Sequence, residues 1–315
     1  MIVDYKLLDA LSAVVRHQGF DAAARAMHLT QSAISQRIKA LEELIGQPLL
    51  VRGTPIGLTA AGRRLLQHGE AVRLMERELL QTLADDDAGD FARLAIASNA
   101  DSAATWLIPA VAPLLRQEKA LLELVLDDQD YTHQLLRNGE VVGCISNLQA
   151  PLPGCKVDFL GAMHYWCVAS PDFVARHFPD GIGQQAIRRA PVVNFNAKDD
   201  LQRQFLSRRF GLGPGDYPQH AISSTESYLA AILAGIGFGL VPELQAHAQL
   251  ARGELVRLIP EPAATIELYW HRWQRETPLM ARLTQTLLTH ASAVLAQGAD
   301  AQQCRAICCG PPGAA

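Results

Sequence analysis

Residues 20–42 are FDAAARAMHLTQSAISQRIKALE, and their pattern predicts two helices joined by a tight turn. The first helix, predicted over residues 20–28, is short and rich in alanine, whose small side chain lets neighbouring helices pack closely. The second is predicted over residues 31–45, with Thr30 as its N-cap and Gly46 as the residue that ends it. Two helices in this arrangement are typical of a helix-turn-helix, a motif of DNA-binding proteins.

The second of these helices has two different faces. Four aliphatic residues recur at spacings of four, three and four and form its buried face: Ile34, Ile38, Leu41 and Ile45. The opposite face carries polar side chains that suit base edges in the major groove or phosphates. A solvated amphipathic helix is the alternative for this helix alone, but the alanine-rich helix and tight turn before it favour DNA binding. The predicted DNA contacts are Thr30, Gln31, Ser32, Ser35, Gln36, Arg37, Lys39 and Arg52.

The segments on either side complete a winged domain. Five aliphatic residues between positions 7 and 15 share one face, which predicts a packed helix over residues 4–16. Residues 49–52 and 56–59 predict two short strands around a Gly-Thr-Pro turn, which together form a β-wing. Arg52 is placed there to reach a phosphate or the minor groove. We therefore expect residues 1–58 to form an all-α winged helix-turn-helix domain.

A long helix is predicted to follow the wing. It begins at the cap Thr59 and continues to residue 84, roughly 39 Å at 1.5 Å per residue. Its narrow apolar stripe is typical of a helix that pairs with another helix, and consists of Leu65, Val72, Met75, Leu79 and Leu83. We expect the partner to be a second chain, since two DNA-binding heads match a two-fold operator; packing within one chain is the alternative. An acidic hinge, DDDAG, follows at residues 85–89, so the linker spans residues 59–89.

Charge is divided unevenly along the chain. Its 315 residues carry a net charge of −4, which by itself argues against nucleic-acid binding. Residues 1–67, however, contain eight Lys or Arg and five Asp or Glu, a charge of +3, so the remainder carries −7. A basic head on an acidic body is the pattern expected when the head alone binds DNA.

Composition excludes several other classes of protein. With 49% hydrophobic and 19% charged residues, the chain is globular rather than disordered. We expect a cytoplasmic protein without membrane contact, because the first ten residues lack the apolar core of a signal peptide and no apolar run is long enough to span a bilayer. Cys144, Cys155 and Cys167 lie in apolar surroundings and are predicted to be reduced core residues. The three cysteines near the C-terminus lack metal-ligand spacing, so no metal is predicted.

From residue 90 the pattern changes to alternating strands and helices, which predicts an α/β domain. Three strands separated by two helices imply a parallel sheet with right-handed crossovers; the strands are residues 94–97, 122–126 and 141–146, and the first helix is residues 101–116. A second set has strands over residues 165–169, 191–195, 221–223 and 238–241 and helices over residues 199–210 and 226–235. A strand over residues 266–270 and a helix over residues 278–295 return to the first set.

Ligands of such α/β domains bind beyond the carboxyl ends of the strands. Polar clusters open one helix of each set, where free backbone N–H groups and the helix dipole favour a carboxylate, although ordinary helix caps are equally expected there. Two acids follow the second strand, where they either pair with a cationic ligand or belong to a polar loop. The four tryptophans are expected in the core rather than around the ligand. The candidate effector-binding residues are Ser98, Asn99, Asp101, Ser102, Asp127, Asp128, Ile145, Ser146, Ser224 and Thr225.

Several motifs resemble those of the LysR-type family of transcriptional regulators. Residues 20–42 match the helix-turn-helix signature of that family nearly throughout, and the motifs GQPLLVR at residues 46–52 and LTAAG at residues 58–62 match its wing and linker entry. Four further motifs are similar to its ArgP/IciA/LysG branch: NADSAATWL (99–107), RNGEVVG (137–143), APVV (190–193) and LYWHR (268–272). In one departure, the wing lacks the second arginine of many relatives, so that phosphate contact there rests on Arg52.

The resemblance implies more than the residues do alone. It implies a two-lobed effector domain like a periplasmic binding protein over residues 90–300, with lobe I over residues 90–164 and 269–300 and lobe II over residues 165–268. Independently of the resemblance, the Gly/Pro/Ala-rich residues 301–315 are predicted to be a disordered tail. The resemblance implies lysine or arginine as the effector, with Asp127 or Asp128 selecting the basic side chain, and no cofactor. It also implies control of amino-acid export or metabolism genes by a homodimer joined through the linker helix, and commonly a homotetramer.

Two other functions remain open from the sequence. An architectural DNA-binding protein, such as an inhibitor of chromosome initiation, would need no effector cleft. An enzyme of small-molecule metabolism is disfavoured, because the chain has no Gly-x-Ser-x-Gly, P-loop or His-Glu-x-x-His motif, and the glycines of residues 235–239 end a helix rather than open one.

Overall fold

The computed structural model describes residues 4–51, 53, 56–83, 91–126, 132–195, 200–274 and 276–297. Four predictions from the sequence lie outside these residues. They are the contact from Arg52, the acidic hinge over residues 85–89, the carboxylates of Asp127 and Asp128, and the disordered tail over residues 301–315 with its three cysteines.

The N-terminal domain has the three helices and the wing that its sequence predicts. Its elements are α1 (Tyr5–Arg16), α2 (Phe20–Ala26), α3 (Gln31–Ile45), β1 (Leu50–Val51) and β2 (Gly57–Leu58). Thr30 caps α3, because its hydroxyl accepts a hydrogen bond from the backbone N–H of Ala33 at 3.2 Å. Gly46 ends α3 in the left-handed conformation. The helix α2 ends two residues earlier than predicted, because His28 has a φ of +54°, outside the α-helical region.

A hydrophobic core joins α1 to α3. Leu8 and Leu11 of α1 are buried with Ile34 and Leu41 of α3 in one cluster. Three of the four aliphatic residues predicted for the inner face of α3 are buried, and the fourth, Ile45, is half-buried. The polar face of α3 therefore points away from the core, as the periodicity predicts.

The wing leads directly into the long helix α4 (Ala60–Leu83). Thr59 caps α4 as predicted, since its hydroxyl accepts a hydrogen bond from the backbone N–H of Gly62 at 3.1 Å. The backbone of Gly62 lies so close to the wing that a Cβ there would be 2.1 Å from the carbonyl oxygen of Leu49. Only glycine fits this junction without a shift of the backbone.

The apolar stripe predicted for α4 is partly uncovered in this chain. Leu65 and Val72 are half-buried and Met75 is 47% exposed, while the side chains of the last two members lie outside the described residues. Leu66, which the predicted stripe omits, is buried because its side chain lies beside Gly139 of the C-terminal domain. The stripe therefore does not account for the buried face of α4, and its pairing with a second chain stays a prediction.

The C-terminal domain is built on one mixed sheet and one small parallel sheet. Its strands are β3 (Ala92–Ser98), β4 (Ala120–Leu126), β5 (Gly143–Ser146), β6 (Cys155–Ala169), β7 (Val192–Asn194), β8 (Gln219–Ala221), β9 (Gly239–Pro242), β10 (Val256–Arg257) and β11 (Ala264–Trp273). The main sheet has the order β10-β6-β11-β5-β3-β4, with β9 also paired to β6, and β7 pairs with β8 in the second sheet. As the alternation of strands and helices predicts, β3 is parallel to both β4 and β5.

Helices cover these strands. They are α5 (Ala100–Ser102), α6 (Ile108–Gln117), α7 (Thr132–Asn138), α8 (Pro171–His177), α9 (Gln184–Ile187), α10 (Leu201–Phe210), α11 (Thr225–Leu233), α12 (Glu243–Ala251) and α13 (Pro278–Val294). A π-helical segment, Ala103–Leu107, joins α5 to α6, so the helix predicted over residues 101–116 exists without being a regular α-helix. Within the described part of the chain, no helix combines the length and the apolar character that crossing a membrane requires.

The two longest strands, β6 and β11, differ most from the prediction. For β6 only residues 165–169 were predicted, but the strand spans 15 residues, because its first half alternates polar and apolar residues and is held by antiparallel pairing with β11. A register shift between Leu268 and Tyr269 coincides with Gly161, whose φ is +141°. The expected lobe boundaries, 164/165 and 268/269, fall inside these two strands, next to that irregularity. The sequence also missed α8, α9, α12 and β10.

The three described cysteines are free thiols, as predicted. Cys144 and Cys167 are buried and Cys155 is half-buried. Burial raises the pKa of Cys144 to about 12 and also raises the pKa of Cys167. A thiol with such a pKa is not a nucleophile at neutral pH, so these are core residues.

Candidate functional site

The polar face of α3 is open to solvent. Of the predicted DNA contacts on this helix, one is half-buried, Arg37. The others are exposed: Thr30, Gln31, Ser32, Ser35, Gln36 and Lys39. The hydroxyl of Thr30 is engaged in the cap and lies 3.0 Å from the hydroxyl of Ser32. The Lys39 ammonium group lies 3.7 Å from the Glu43 carboxylate on the surface. The long polar side chains thus project from a rigid, capped helix.

The wing is braced from behind by a residue that the sequence analysis did not single out. Strands β1 and β2 pair antiparallel, with Leu50 opposite Leu58. Arg63 of α4 donates a hydrogen bond from Nη1 to the carbonyl oxygen of Leu58 at 2.7 Å. Arg63 counted toward the positive charge of residues 1–67, but its role in holding the wing depends on the fold.

The carboxyl ends of three strands meet at one edge of the main sheet. Ser98 at the end of β3 is the register partner of Leu126 at the end of β4. Ser146 ends β5 on the other side of β3. The structure therefore brings the first polar cluster to the same edge as Ser146 and as the point where Asp127 follows Leu126 in the sequence.

The first polar cluster is buried and incompletely hydrogen-bonded. Ser98, Asn99 and Ser102 are at most 5% exposed. The Ser98 hydroxyl donates to the carbonyl oxygen of Asn99 at 3.2 Å. In contrast, the side-chain nitrogen of Asn99 and the hydroxyl oxygen of Ser102 are buried with no hydrogen-bond partner among the described residues. Buried polar atoms in this condition are rare in proteins and each requires an explanation.

These two atoms lie at the start of a long helical run. Asn99 occupies the N-cap position of α5, and the chain is helical from there to Gln117. Free N–H groups and the positive end of the dipole are found at such a terminus. An amide N–H donor, a hydroxyl group and the helix terminus together suit a carboxylate.

Asp101, on the same first turn, is held by the long strand β6. The Tyr165 hydroxyl donates to Asp101 Oδ2 at 2.6 Å, and the Thr105 hydroxyl donates to the Asp101 carbonyl oxygen at 2.6 Å. Tyr165 lies where β6 pairs with β9 of lobe II. The sequence analysis missed this residue, because nothing near Tyr165 in the sequence indicates that it reaches Asp101.

The residues at the end of β5 are buried. Ile145 is fully buried in the main hydrophobic cluster together with Trp270, so its side chain belongs to the core rather than to an open cavity. Its carbonyl oxygen accepts a hydrogen bond from the hydroxyl of Thr132 at 3.1 Å. The Ser146 hydroxyl accepts a hydrogen bond from the backbone N–H of Leu148 at 3.1 Å.

The second polar cluster behaves differently from the first. Ser224 is exposed and caps α11, since its hydroxyl accepts a hydrogen bond from the backbone N–H of Ser227 at 3.4 Å. The half-buried Thr225 accepts a hydrogen bond through its carbonyl oxygen from Gln245 of α12 at 3.4 Å. The helix α12 also packs against the π-helical segment that follows the first cluster. Thus α12 contacts the start of α11 and the π-helical segment behind the first cluster, a role that was absent from the sequence analysis.

Most tryptophans are core residues, as expected. Trp106, Trp166 and Trp270 are at most 7% exposed, and Trp273 is half-buried. Trp270 donates from Nε1 to the Thr284 hydroxyl at 3.0 Å. Packing accounts for their apolar rings, while the Nε1 atoms of Trp106, Trp166 and Trp273 are buried without a hydrogen-bond partner among the described residues.

His271 is a buried neutral imidazole rather than a metal ligand. It is fully buried and its Nε2 lies 2.7 Å from the carbonyl oxygen of Leu148. Burial lowers its pKa, and the backbone hydrogen bond only partly opposes that effect. Across the described ranges, no group of three or more His, Cys, Asp or Glu side chains is arranged to hold a metal ion.

Comparison with known families gives a match over almost the whole chain. Residues 5–63 match the family described as "Bacterial regulatory helix-turn-helix protein, lysR family". Residues 87–292 match the family described as "LysR substrate binding domain". The two matches correspond to the winged domain and to the α/β domain.

Individual proteins are similar along their full length. The chain is 45% identical over 296 residues to the HTH-type transcriptional regulator ArgP of Aeromonas salmonicida, covering 94% of this chain and 99% of that protein. Among solved structures, ArgP from Mycobacterium tuberculosis is 38% identical with a TM-score of 0.80, covering 94% and 100% of the two chains. Full-length LysG from Corynebacterium glutamicum with bound effector Arg is 33% identical with a TM-score of 0.77, again covering 94% and 100%.

Proposed function

The chain belongs to the LysR family of bacterial transcriptional regulators, and from this premise we propose that it binds duplex DNA through α3 and the wing in response to lysine or arginine held between its lobes. The proposal places it in the cytoplasm, where it controls genes of amino-acid export or metabolism. The proposed effector site depends on one observation: Asn99 and Ser102 each have a buried polar atom without a hydrogen-bond partner among the described residues.

The DNA half of the proposal depends on the exposed face of α3. Gln31, Ser35 and Gln36 are the side chains that we assign to base edges, since glutamine forms paired hydrogen bonds with adenine. The phosphate contacts are assigned to the cations Arg37, Lys39 and Arg52. Thr30 and Ser32 sit at the first turn of the helix, the part that lies nearest the bases when such a helix docks.

The effector half combines an anion site with an acidic site. We assign the α-carboxylate of the amino acid to the Asn99 amide, the Ser102 hydroxyl and the helix start behind Ser98. We assign the ammonium or guanidinium group to Asp127 or Asp128, because they follow Leu126, the register partner of Ser98. The structure of the relative LysG contains the bound effector Arg, which supports a site for a basic amino acid.

The remaining contacts close the site from its other sides. Asp101 is assigned to the α-ammonium group, with its second oxygen accepting from Tyr165. Ser146 lines the floor, and Ile145 contributes through its backbone, since its side chain is in the core. Ser224 and Thr225 are assigned as the effector contacts of lobe II. They lie at the start of α11, which α12 contacts through the hydrogen bond from Gln245 to Thr225.

The proposal includes self-association. The long helix α4 exposes Met75 of its apolar stripe, and a two-fold pair of such helices would present two DNA-binding heads to an operator with two half-sites. We propose a homodimer through α4, assembled further into a homotetramer.

Thermal unfolding in the presence of each of the twenty amino acids tests the effector assignment. Lysine or arginine is expected to stabilise the protein, by ~2.7 kcal/mol at a concentration 100 times its Kd. Selection from a random-sequence duplex pool tests DNA binding in the same preparation. Stabilisation by neutral amino acids only would contradict the basic effector, and stabilisation by none, together with duplex binding, would favour an architectural protein.

A further inference from the structure

One segment of α4, residues 67–73, contacts the DNA-binding domain and the effector domain at the same time. We call it the coupling segment. On one face it contacts α1 of the winged domain, and on a neighbouring face it contacts the end of α7 in lobe I. Both sets of contacts are formed within a single chain.

On the winged domain the coupling segment forms a partly buried charge cluster. Glu70 Oε1 accepts hydrogen bonds from Arg73 Nη1 at 2.8 Å and from the Ser12 hydroxyl at 3.2 Å, and lies 3.6 Å from Arg16 Nη2. Arg73 Nε lies 3.2 Å from Asp9 Oδ1. The side chains of Glu70 and Arg73 are 22% and 26% exposed, whereas those of Asp9 and Arg16 are 46% and 50% exposed. The centre of the network is therefore partly shielded from solvent, and its outer members are screened like surface charges.

Arg73 is the centre of this cluster. It pairs with Asp9 of α1 and with Glu70 of α4, and its Nη2 atom is buried without a hydrogen-bond partner in the part of the chain that the structure describes. Removing either carboxylate therefore leaves a partly buried guanidinium group with one partner fewer, which is destabilising. Through these pairs the cluster holds α1 against α4.

On the effector domain the same segment caps a helix. The Gln67 side chain donates from Nε2 to the carbonyl oxygens of Arg137 at 3.1 Å and of Leu136 at 3.4 Å. These carbonyls belong to the last turn of α7, where helix carbonyls lack partners inside the helix. The Leu136 carbonyl oxygen also accepts from the backbone N–H of Gly139 at 3.1 Å, so the shorter bond from Gln67, to Arg137, is the main cap. Gly139, with a φ of +73°, follows so closely that a Cβ there would lie 3.3 Å from the backbone nitrogen of Gln67.

The other end of α7 lies at the effector edge. Thr132, the first residue of α7, is fully buried and its hydroxyl donates to the carbonyl oxygen of Ile145 at the end of β5. A helix of seven residues spans about 10 Å. The helix α7 thus extends from the strand ends of the candidate cleft to the coupling segment.

We propose that the coupling segment transmits the state of the effector cleft to the DNA-binding head within one protomer. Gln67 holds α7, and Glu70 with Arg73 holds α1, so that a displacement of α7 turns the head. Glu70, Arg73 and Gln67 are positioning residues that contact neither ligand. The proposal rests on the proposed function for the identity of the effector, but not for the contacts themselves.

Reciprocity gives a test that needs no effector. If α7 and the head are coupled, the effector and the DNA change each other's affinity by the same factor, so DNA binding is expected to change the state of α7 as well. Amide hydrogen exchange of the full-length protein is measured with and without the duplex that the wild-type protein selects from a random pool. In the wild type, the exchange rates of residues 132–138 are expected to change by about fivefold or more on duplex binding.

Gln67→Ala is the first variant. It is expected to bind the duplex with close to wild-type affinity and to lose the change in exchange at α7. Gln285→Ala is the matched control, because among the described residues that glutamine hydrogen-bonds within α13, to Thr289 at 3.2 Å. The proposal is overturned if α7 responds to DNA equally in Gln67→Ala and wild type, or if α7 of the wild type does not respond at all.

Glu70→Gln tests the other side, with Asp9→Asn as the milder variant should Glu70→Gln fail to fold. Either is expected to abolish the response of α7. The control is Glu254→Gln, whose exposed pair with Arg252 in lobe II at 2.9 Å is remote from α4 in the sequence. The role of the charge cluster would be overturned if the folded variants, Glu70→Gln or Asp9→Asn, showed the same change in exchange at α7 on duplex binding as the wild type.

A second measurement separates this proposal from the proposed function. The ratio of duplex Kd values with and without arginine or lysine is measured for the same variants. If the wild type binds neither amino acid, the effector assignment fails while the exchange experiment still decides the coupling. If the wild type responds to one of them, Gln67→Ala is expected to bind that amino acid normally and to show a ratio near one.

Discussion

Two atoms, Asn99 Nδ2 and Ser102 Oγ, distinguish the candidate effector site from ordinary helix starts. Ser224 caps its own helix, whereas the Ser102 hydroxyl is buried without a partner among the described residues. An unsatisfied buried hydroxyl costs about 1–3 kcal/mol, and nothing in the described fold offsets that cost. A ligand oxygen at this position would do so, which is why we assign the residue to binding rather than to folding.

Ser102→Ala should separate these two roles. We expect the free energy of unfolding of the ligand-free protein to stay unchanged or to rise, because an unpaired polar atom is removed. We expect the affinity for lysine or arginine to fall by roughly 5- to 150-fold, equivalent to 1–3 kcal/mol, as measured by calorimetry. The control Ser292→Ala removes an exposed hydroxyl on α13 that bonds to Thr289. Lower stability without any loss of affinity would contradict the assignment.

Individual side chains of α3 should divide into base and phosphate contacts. Gln31→Ala is expected to reduce discrimination at one operator position by about 1–3 kcal/mol. Lys39→Ala, on the same face, should weaken all duplexes alike and reduce the salt dependence of binding. Competition gel shifts with single-base operator variants measure both. Equal discrimination by Gln31→Ala and wild type would remove the base contact.

The buried His271 makes stability depend on pH. Its pKa is lowered in the folded state by burial, so the unfolded chain binds the proton more readily. The free energy of unfolding is therefore at its full value above pH ~6.5, the pKa of histidine in the unfolded chain, and decreases as the pH drops below that value. Denaturant unfolding at a series of pH values should show this slope, and His271→Gln should flatten it. An unchanged slope in the variant would assign the dependence to other groups.

Among the elements, the junction of wing and α4 is the most constrained. The cap Thr59, the brace Arg63 and the close approach at Gly62 all lie within five residues and hold β2 against the helix. Since α4 also contacts lobe I, the wing and the effector domain share one rigid support. Regular periodicity indicates the helix, but the close approach follows from how the wing folds back onto it.

Gly62→Ala should disrupt this junction. Its Cβ would meet the Leu49 carbonyl at 2.1 Å, and overpacking of this kind costs about 1–3 kcal/mol. We also expect weaker duplex binding, because the wing must shift. Gly69→Ala on the same helix is the control: its Cβ would meet Leu8 at an ordinary 3.6 Å, and alanine favours a helix by about 0.8–1.0 kcal/mol over glycine. Equal denaturant stability of the two variants would contradict this account.

In the whole molecule, two long strands and one long helix carry the connections between parts. The strands β6 and β11 run through the predicted boundary between the lobes, and the Tyr165–Asp101 hydrogen bond lies beside that predicted boundary. The helix α4 joins the lobes to the DNA-binding head. An effector that changes the angle between the lobes would therefore act on the β6–β11 pair and on α4 together. Such an effector regulates DNA binding if its affinity differs between the two arrangements.

Met75→Glu should weaken the assembly. Among the described side chains of the apolar stripe of α4, Met75 is exposed, and a carboxylate buried between two such helices is costly. Sedimentation should show a shift toward smaller species and weaker binding to duplexes with two half-sites. Glu76→Gln, exposed next to it, serves as the control. Identical sedimentation of Met75→Glu and wild type would exclude pairing through this stripe.

Local features of the chain predict the recognition helix to the residue. The cap Thr30, the aliphatic spacing and the C-cap Gly46 each act within one or two turns, so neighbouring residues suffice to define α3. The parallel direction of strands β3, β4 and β5 follows from their alternation with helices, whereas their order in the sheet, β5-β3-β4, was not predicted. These features also predict where polar residues follow strand ends, and hence the cluster around Asn99.

Contacts between distant residues were decided only by tertiary structure. The first half of β6, which begins with lysine and aspartate alternating with apolar residues, is a strand because β11, about a hundred residues later, pairs with it. Tyr165 on Asp101 and Gln67 on Arg137 depend on the same long-range packing. Helix periodicity and capping are set by hydrogen bonds between near neighbours, whereas these contacts form only when the sheet brings remote segments together, and no neighbouring residue signals that.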